Sequence, residues 1–366
     1  MSINKWPKLI SMLGILLLST NVYAQSQRVL NVYNWTDYIA LDTISNFEKE
    51  FDVKVNYDLY DSTEIVEAKL LAGKTGYDVI IQSYRYASRL IPIHIFSPLH
   101  RSELPLFSNL DPWVLKKMEE YDPGNLYGVP YMWGTTGFAY NVDMVKARMP
   151  DAPLHSAAML FDPEIVSKFA DCGVSLLDEP TDVIPMVLLY LGLDPNSMDP
   201  DDLARVEAQL KSVRPYIRYF SSAKMLNDLP NGEVCIAMSW SGDYATAQQR
   251  AEEVGADIDL AYNTPEEGSL LWFDGVFIPA DSDHVDIAHE FINYLLRPEV
   301  TAAITNYTYY ANANLASAPY MLPEIVHNPA LYPPMSERER FGVGIIYGPK
   351  IERRRTRSWS RIKTGL

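Results

Sequence analysis

Between Arg28 and Ile81 the chain alternates strand-like and helix-like segments with short connections, and this pattern restricts the fold more than any other feature. Arg28 to Tyr33 is apolar and β-prone, Leu41 to Glu50 repeats apolar Leu41, Ile44 and Phe47 at helical spacing, and Val53 to Tyr57 alternates. Thr63 to Ala72 is again helix-patterned, with Gly73 where a helix commonly ends, and Asp78 to Ile81 reads as a buried strand. A βαβαβ unit of this kind builds a parallel sheet, because each helix returns the chain to the same edge, and ligands gather beyond the carboxyl ends of the strands. The residues to inspect are therefore Asn34-Trp35-Thr36-Asp37-Tyr38 after the first strand and Gln82-Ser83-Tyr84 after the third.

The 366 residues suffice for roughly two domains of ordinary size. The turn signal Asp122-Pro123-Gly124-Asn125, followed by the Gly134-Thr135-Thr136-Gly137 stretch, marks a change of domain. Helices are expected at Asp201–Val213, Asp243–Val254 and His284–Leu296, the last and final one stopped by Arg297-Pro298, and strands at Val234–Met238 and Leu271–Ile278. Lys350 to Leu366 carries seven basic residues and one acid, Glu352, and is read as a solvated terminal face in preference to a partner surface.

Lys5 and Lys8, the apolar run from Leu9 to Leu18 and the small-residue pattern Val22-Tyr23-Ala24 predict a secretory signal peptide over residues 1–24, cut after Ala24. The apolar run is too short to span a bilayer. Gln25 and not Cys follows the cut, so no lipid anchor is expected, and the destination is the periplasm. Removing two lysines and no acid moves the formal charge from -16 to -18. Such a chain repels nucleic acid, and small cations become its natural partners. In an oxidising compartment the only two cysteines, Cys172 and Cys235, favour a disulfide over a metal or redox site, with two separate buried thiols as the alternative.

No motif for catalysis is present: no P-loop, no Gly-x-Ser-x-Gly elbow, no zinc helix. His284 and His289 are five apart and do not share a helical face, and Asp281, Asp283 and Asp286 lack the glycine and glutamate that a calcium loop needs at its sixth and twelfth positions. An enzyme, a metal and a cofactor are not expected. What stands out is that Trp35, Trp240 and Trp272 each lie two or three residues before an aspartate, Asp37, Asp243 and Asp274, at expected strand ends or beginnings. A site where indole faces and carboxylates converge suits an alkyl ammonium. The amine stays protonated at neutral pH and needs carboxylate acceptors, its methylenes need flat apolar walls, and a tryptophan face attracts the cation.

Tyr33-Asn34-Trp35-Thr36-Asp37-Tyr38-Ile39, Pro130-Tyr131-Met132-Trp133-Gly134-Thr135-Thr136-Gly137, Ser239-Trp240-Ser241-Gly242-Asp243, Trp272-Phe273-Asp274 and Tyr309-Tyr310-Ala311-Asn312-Ala313-Asn314 resemble the motifs of periplasmic polyamine-binding proteins. These are the solute receptors of ATP-driven putrescine and spermidine importers, and the resemblance runs from about Leu30 to Trp359. It implies an α/β, two-lobe periplasmic binding protein fold of type II, like the maltose and spermidine receptors, with hinge crossovers. Residues 25–132 plus about 265–312 would form one lobe, about 137–258 plus about 320–366 the other, with crossovers at 133–137, 259–264 and 313–319. It also implies a Cys172–Cys235 bridge, a monomer that docks on a membrane permease, and a ligand trapped between lobes. Trp35, Thr36, Asp37, Tyr38 and Ser83 would serve from the first lobe, Asp182, Trp240 and Asp243 from the second, and Trp272, Asp274 and Tyr310 near the hinge.

Asp182 stands where putrescine-type members look to have Glu, Trp272 where they tend to have Phe, and Glu179 could meet a third amine; these departures tilt the expectation toward spermidine or mixed recognition. Arg85 pulls the other way, since a cation near the mouth repels a polyamine unless it points out. Two alternatives keep the architecture: a polyamine sensor without transport, and a ferric-ion receptor suggested by adjacent Tyr309 and Tyr310.

Overall fold

The N-terminal alternation folds as its pattern dictates in the computed structural model, which describes residues 27–60 and 63–365. The expected signal peptide and its cleavage site lie outside the described residues. Strand β1 (Arg28–Trp35), helix α1 (Thr43–Phe51), β2 (Val53–Tyr60), α2 (Thr63–Ala72) and β3 (Val79–Ser83) form the βαβαβ unit, with β1 central and parallel to both neighbours. Leu41 departs from its expected role: it lies before α1 and is 84 % exposed, while the helix seats Thr43 and Phe47 on the core. Helix α3 (Tyr84–Leu90) starts directly at the end of β3.

Fourteen buried residues make β4 (Gly128–Asn141). There follow β5 (Val174–Leu176), α4 (Pro180–Tyr190), α5 (Pro200–Val213), β6 (Ile217–Phe220), β7 (Ile236–Trp240), α6 (Ser241–Glu253), β8 (Leu260–Asn263) and β9 (Ser269–Phe277). After α7 (Val285–Leu295) the chain enters α8 (Pro298–Thr308), then β10 (Ala311–Asn312), β11 (Phe341–Val343) and α9 (Pro349–Thr364). Pro298 therefore ends no fold. At the first position of a helix its missing N–H costs nothing, so it stops α7 and opens α8, and helices continue well past the expected last one.

The strands share one sheet in the order β2-β1-β3-β9-β4-β7-β5-β6, with β8 and β10 also on β4 and β11 on β9. β4 is the common member. Gly128 to Thr135 pair with β9, and from Thr136 onward the pairing passes to β7 and β8. Burial divides in the same way. One core gathers side chains such as Leu30, Phe47, Trp133, Phe277 and Phe291, and a second gathers Phe138, Phe161, Val187, Ile236 and Trp359. Cys172 and Cys235 are bridged within the second, with Cα atoms 5.5 Å apart and a sequence separation of 63; in the chain-entropy view closing a loop of that length stabilises the fold by about 4 kcal/mol.

The basic tail is not a solvated face. Residues 349–364 form an amphipathic helix that buries Arg355, Ser358, Trp359 and Ile362. Ser358 and Arg361 bond Glu207 of α5, and Trp359 Nε1 bonds Asp178 at 3.0 Å. Counting charges alone misses the i, i+3, i+4 apolar stripe that Trp359 and Ile362 supply.

Candidate ligand-binding site

Sheet register sets the first carboxylate. β3 and β9 run antiparallel with Ser83 directly opposite Asp274, so the carboxyl end of the N-terminal unit and an acid from a distant strand face each other. Asp274 sits among phenols. Its charge is felt by Tyr38, Tyr60, Tyr131 and Tyr310, all four pushed well up, chiefly by their own burial. Burial also pushes Asp274 up to about 7, with the neighbouring Tyr38 hydroxyl pulling the other way. That hydroxyl is buried beside the Asp274 carboxylate, with no described residue in strict hydrogen-bond geometry to it.

Asp243, in the first turn of α6, is buried and pushed up to about 6 by desolvation, while the Tyr310 hydroxyl, which donates to its Oδ1, opposes the shift. The ring of Tyr310 reaches this carboxylate only because residue 242 is glycine: a Cβ there would stand 2.2 Å from Tyr310 Cδ1. Trp272 is admitted in the same way by Gly134, where a Cβ would stand 2.4 Å from Cζ2 of the indole.

Asp182 lies in the first turn of α4, where the helix dipole favours an anion. Its Oδ1 accepts from Thr136 Oγ1 at 2.7 Å and from Trp240 Nε1 at 3.3 Å. Thr136 and Trp240 are themselves cross-strand partners in β4 and β7, so the two donors are set side by side by the sheet. The Tyr262 hydroxyl, bonded to Thr135 O at 2.9 Å, feels the charges of both Asp182 and Asp243. Among the described residues, none of the three carboxylates forms an ion pair.

Aromatic rings frame the acids. Tyr131, Tyr38, Tyr310 and Trp272 follow one another edge to face, with centroids 5.3 to 5.5 Å apart, and Trp35 packs on Tyr60 at 4.3 Å. Trp35 and Trp240 end β1 and β7 as expected, whereas Trp272 and Asp274 lie inside β9 and not at its end. Thr36 and Asp37 occupy an exposed turn after β1; Thr36 bonds the Tyr60 carbonyl, and Asp37 adopts left-handed backbone with φ 54. Arg85 is engaged by backbone carbonyls and forms no ion pair with the three acids among the described residues: Nε and Nη2 donate to Ile345 O at 2.9 and 2.7 Å, and Nη1 to Thr181 O, next to Asp182, at 3.0 Å. The adjacent tyrosines part company. Tyr310 joins the cage, while Tyr309 packs beside Ala245, Ile325 and Leu331, so the two phenols do not share a pocket.

Sequence reasoning passed over Thr136, Gly134, Gly242 and Tyr262 as site residues. The Gly134-Thr135-Thr136-Gly137 stretch was a signal, but one read as a domain change, and a hydroxyl that orients a carboxylate from another strand leaves no local mark.

The profile of bacterial extracellular solute-binding proteins matches residues 42–333. The chain is 44 % identical over 354 residues to the putrescine-binding periplasmic protein PotF of Escherichia coli, covering 96 % of each. It is 42 % identical over 343 residues to the putrescine-binding periplasmic protein SpuD of Pseudomonas aeruginosa, covering 93 % of this chain and 94 % of that one. Among solved structures, the spermidine/putrescine ABC transporter substrate-binding protein PotD of Streptococcus pneumoniae superposes with a TM-score of 0.79 at 27 % identity, covering 92 % of this chain and 99 % of that one.

Proposed function

Since the chain belongs to the bacterial extracellular solute-binding proteins, and is thus a solute receptor and not an enzyme, we propose that it captures a polyamine, putrescine or spermidine, between two lobes in the periplasm and delivers it to the permease of an ABC importer. The observation that carries this reading is the set of carboxylates Asp182, Asp243 and Asp274, which form no ion pair among the described residues and are walled by aromatic rings. A diammonium ligand supplies the missing charges, and its methylenes occupy the space between rings, about 0.8 kcal/mol for each one buried. A ring face adds about 2 kcal/mol for a desolvated cation. Trp35, Thr36, Asp37, Tyr38, Ser83, Trp240 and Tyr310 complete the proposed ligand set.

In this reading residues 25–132 with about 265–312 form one lobe and about 137–258 with about 320–366 the other, consistent with the passage of β4 from β9 to β7 at Thr135 and Thr136. Each lobe supplies acids, so neither alone satisfies a ligand with two charges, and closure is driven by the difference in affinity between open and closed forms. The receptor acts as a monomer after removal of residues 1–24, without a lipid anchor. A thermal-shift series with putrescine, cadaverine, agmatine, spermidine and spermine tests the proposal. A ligand at 100 times its dissociation constant adds ~2.7 kcal/mol of stability, and no response to any of the five overturns it.

A further inference from the structure

Arg355 carries a charge for which polyamine capture has no use. It is 4 % exposed, its Nη2 is fully buried without a hydrogen-bond partner, and among the described residues it makes no ion pair. The guanidinium lies over the ring of Tyr347, 4.2 Å from the centroid. The hydroxyl of Tyr347, a residue 3 % exposed, is a second buried polar atom with no partner. Arg85 of α3 reaches the same segment: it donates twice to the carbonyl of Ile345, and its Nη1 would stand 2.9 Å from a Cβ on Gly344. Burial depresses the hold of Arg355 on its proton, and the Arg85 charge adds to that effect. Glu352 and Tyr347 offset part of this at a distance, but no acid makes an ion pair with Arg355 among the described residues. Glu352 uses Oε1 to accept from the Tyr347 amide at 3.4 Å, and neither it nor Asp194 pairs with Arg355.

A buried guanidinium left without an anion is expensive, and a ring face offsets only part of the cost. Two donors, Arg355 Nη2 and the Tyr347 hydroxyl, therefore await an acceptor. Water could accept from both, but it brings no charge. The exposed side chains of Lys350, Arg353, Arg354 and Arg357 on the same helix make the approach positive on a molecule that is otherwise acidic. We propose that Arg355 Nη2 and the Tyr347 hydroxyl form a binding site for a small monovalent anion of the chloride class, with Arg85, whose donors are taken by the Ile345 and Thr181 carbonyls, contributing charge only. The site lies beside the 344–347 segment that Arg85 of α3 reaches, at the start of the C-terminal helix, and the burial of Arg355 and Tyr347 suits a monatomic ion better than a carboxylate-bearing molecule.

Crystals of the full mature chain grown in bromide, with anomalous data, test the site directly; the expected result is a bromide peak in hydrogen-bond contact with Arg355 Nη2 and the Tyr347 oxygen. In solution, replacing gluconate by chloride at fixed ionic strength should raise the melting temperature by about 2 °C. Arg355→Met should abolish that response, and since it removes a buried charge while keeping apolar volume, it should still fold; Tyr347→Phe should weaken the response. A water in place of bromide, or a chloride response unchanged in Arg355→Met, overturns the proposal. Neither readout involves a polyamine, so this inference and the transport reading fail independently.

Discussion

The acid-lined site and the Arg355 site bury charge of opposite sign, and in neither does the chain neutralise itself. Asp243 and Asp274 are desolvated beside phenols, whereas Arg355 is desolvated over a phenol ring. Elsewhere the molecule answers its charges. Glu207 is held down to about 2 chiefly by Arg361, with Ser358 and Lys211 assisting, and this cluster fastens the C-terminal helix to α5. Glu50 is lowered by Arg297 in the same manner. The difference separates two uses of one chemistry. Charge met within the chain fastens the chain, and charge left unmet inside it is poised for a ligand of the opposite sign.

The largest effect is expected from Asp274→Asn. The ligand ammonium would lose its charge partner while still desolvated, a loss of about 3–5 kcal/mol, or more than a hundredfold in affinity. The free protein should not suffer, because burial already favours the uncharged form of this side chain and Asn resembles it. Calorimetry with putrescine and spermidine, beside a melting curve of the free variant, checks both halves. Unchanged affinity would remove Asp274 from the site.

A smaller effect follows from pH. The folded, unliganded chain holds protons on Asp274 up to about pH 7 and on Asp243 up to about pH 6, while the unfolded chain releases them near pH 4. Stability from these two groups is therefore full below about pH 4 and is lost as pH rises through 6 and 7. Ligand binding has the reverse sign, since it needs both groups ionised. Affinity should fall about twentyfold from pH 8 to pH 6, about tenfold through Asp274 and about twofold through Asp243, with protons released on binding near pH 6. Isothermal titration in buffers of different ionisation enthalpy measures both. A flat profile would mean that the acids are solvated in the free receptor, and the contrast with Glu207 would collapse.

Much of this was legible before any coordinate. The βαβαβ alternation fixed the parallel half of the sheet, and of the three Trp–Asp neighbours two acids, Asp243 and Asp274, lie against Tyr310, whereas Asp37 sits in an exposed turn. What escaped depends on distant partners. Gly134 and Gly242 matter because Trp272 and Tyr310 cross over them from other strands, and Thr136 because Asp182 arrives from a helix some fifty residues away. Leu41 kept the helical spacing but fell outside the helix, whose start was set by Thr43 bonding back to the Ala40 carbonyl. The tail was misjudged because seven basic residues obscured the stripe of Trp359 and Ile362 beneath them.

The smallest expected effect is the control for the whole contrast. Glu207→Gln removes an acid whose Arg361 partner is 48 % exposed at its side chain, so the pair is largely screened and worth at most about 1 kcal/mol of stability. The sign is that of a depressed acid. The contribution is present above the unfolded value near pH 4 and is lost as pH falls toward 2, so wild type and variant should converge on acidification. Polyamine affinity should not change at any pH, because Glu207 shares no partner with Asp182, Asp243 or Asp274. If Glu207→Gln altered polyamine affinity, the C-terminal helix would be coupled to the ligand site through α5 and α4, and an internally paired charge could no longer be treated as purely structural.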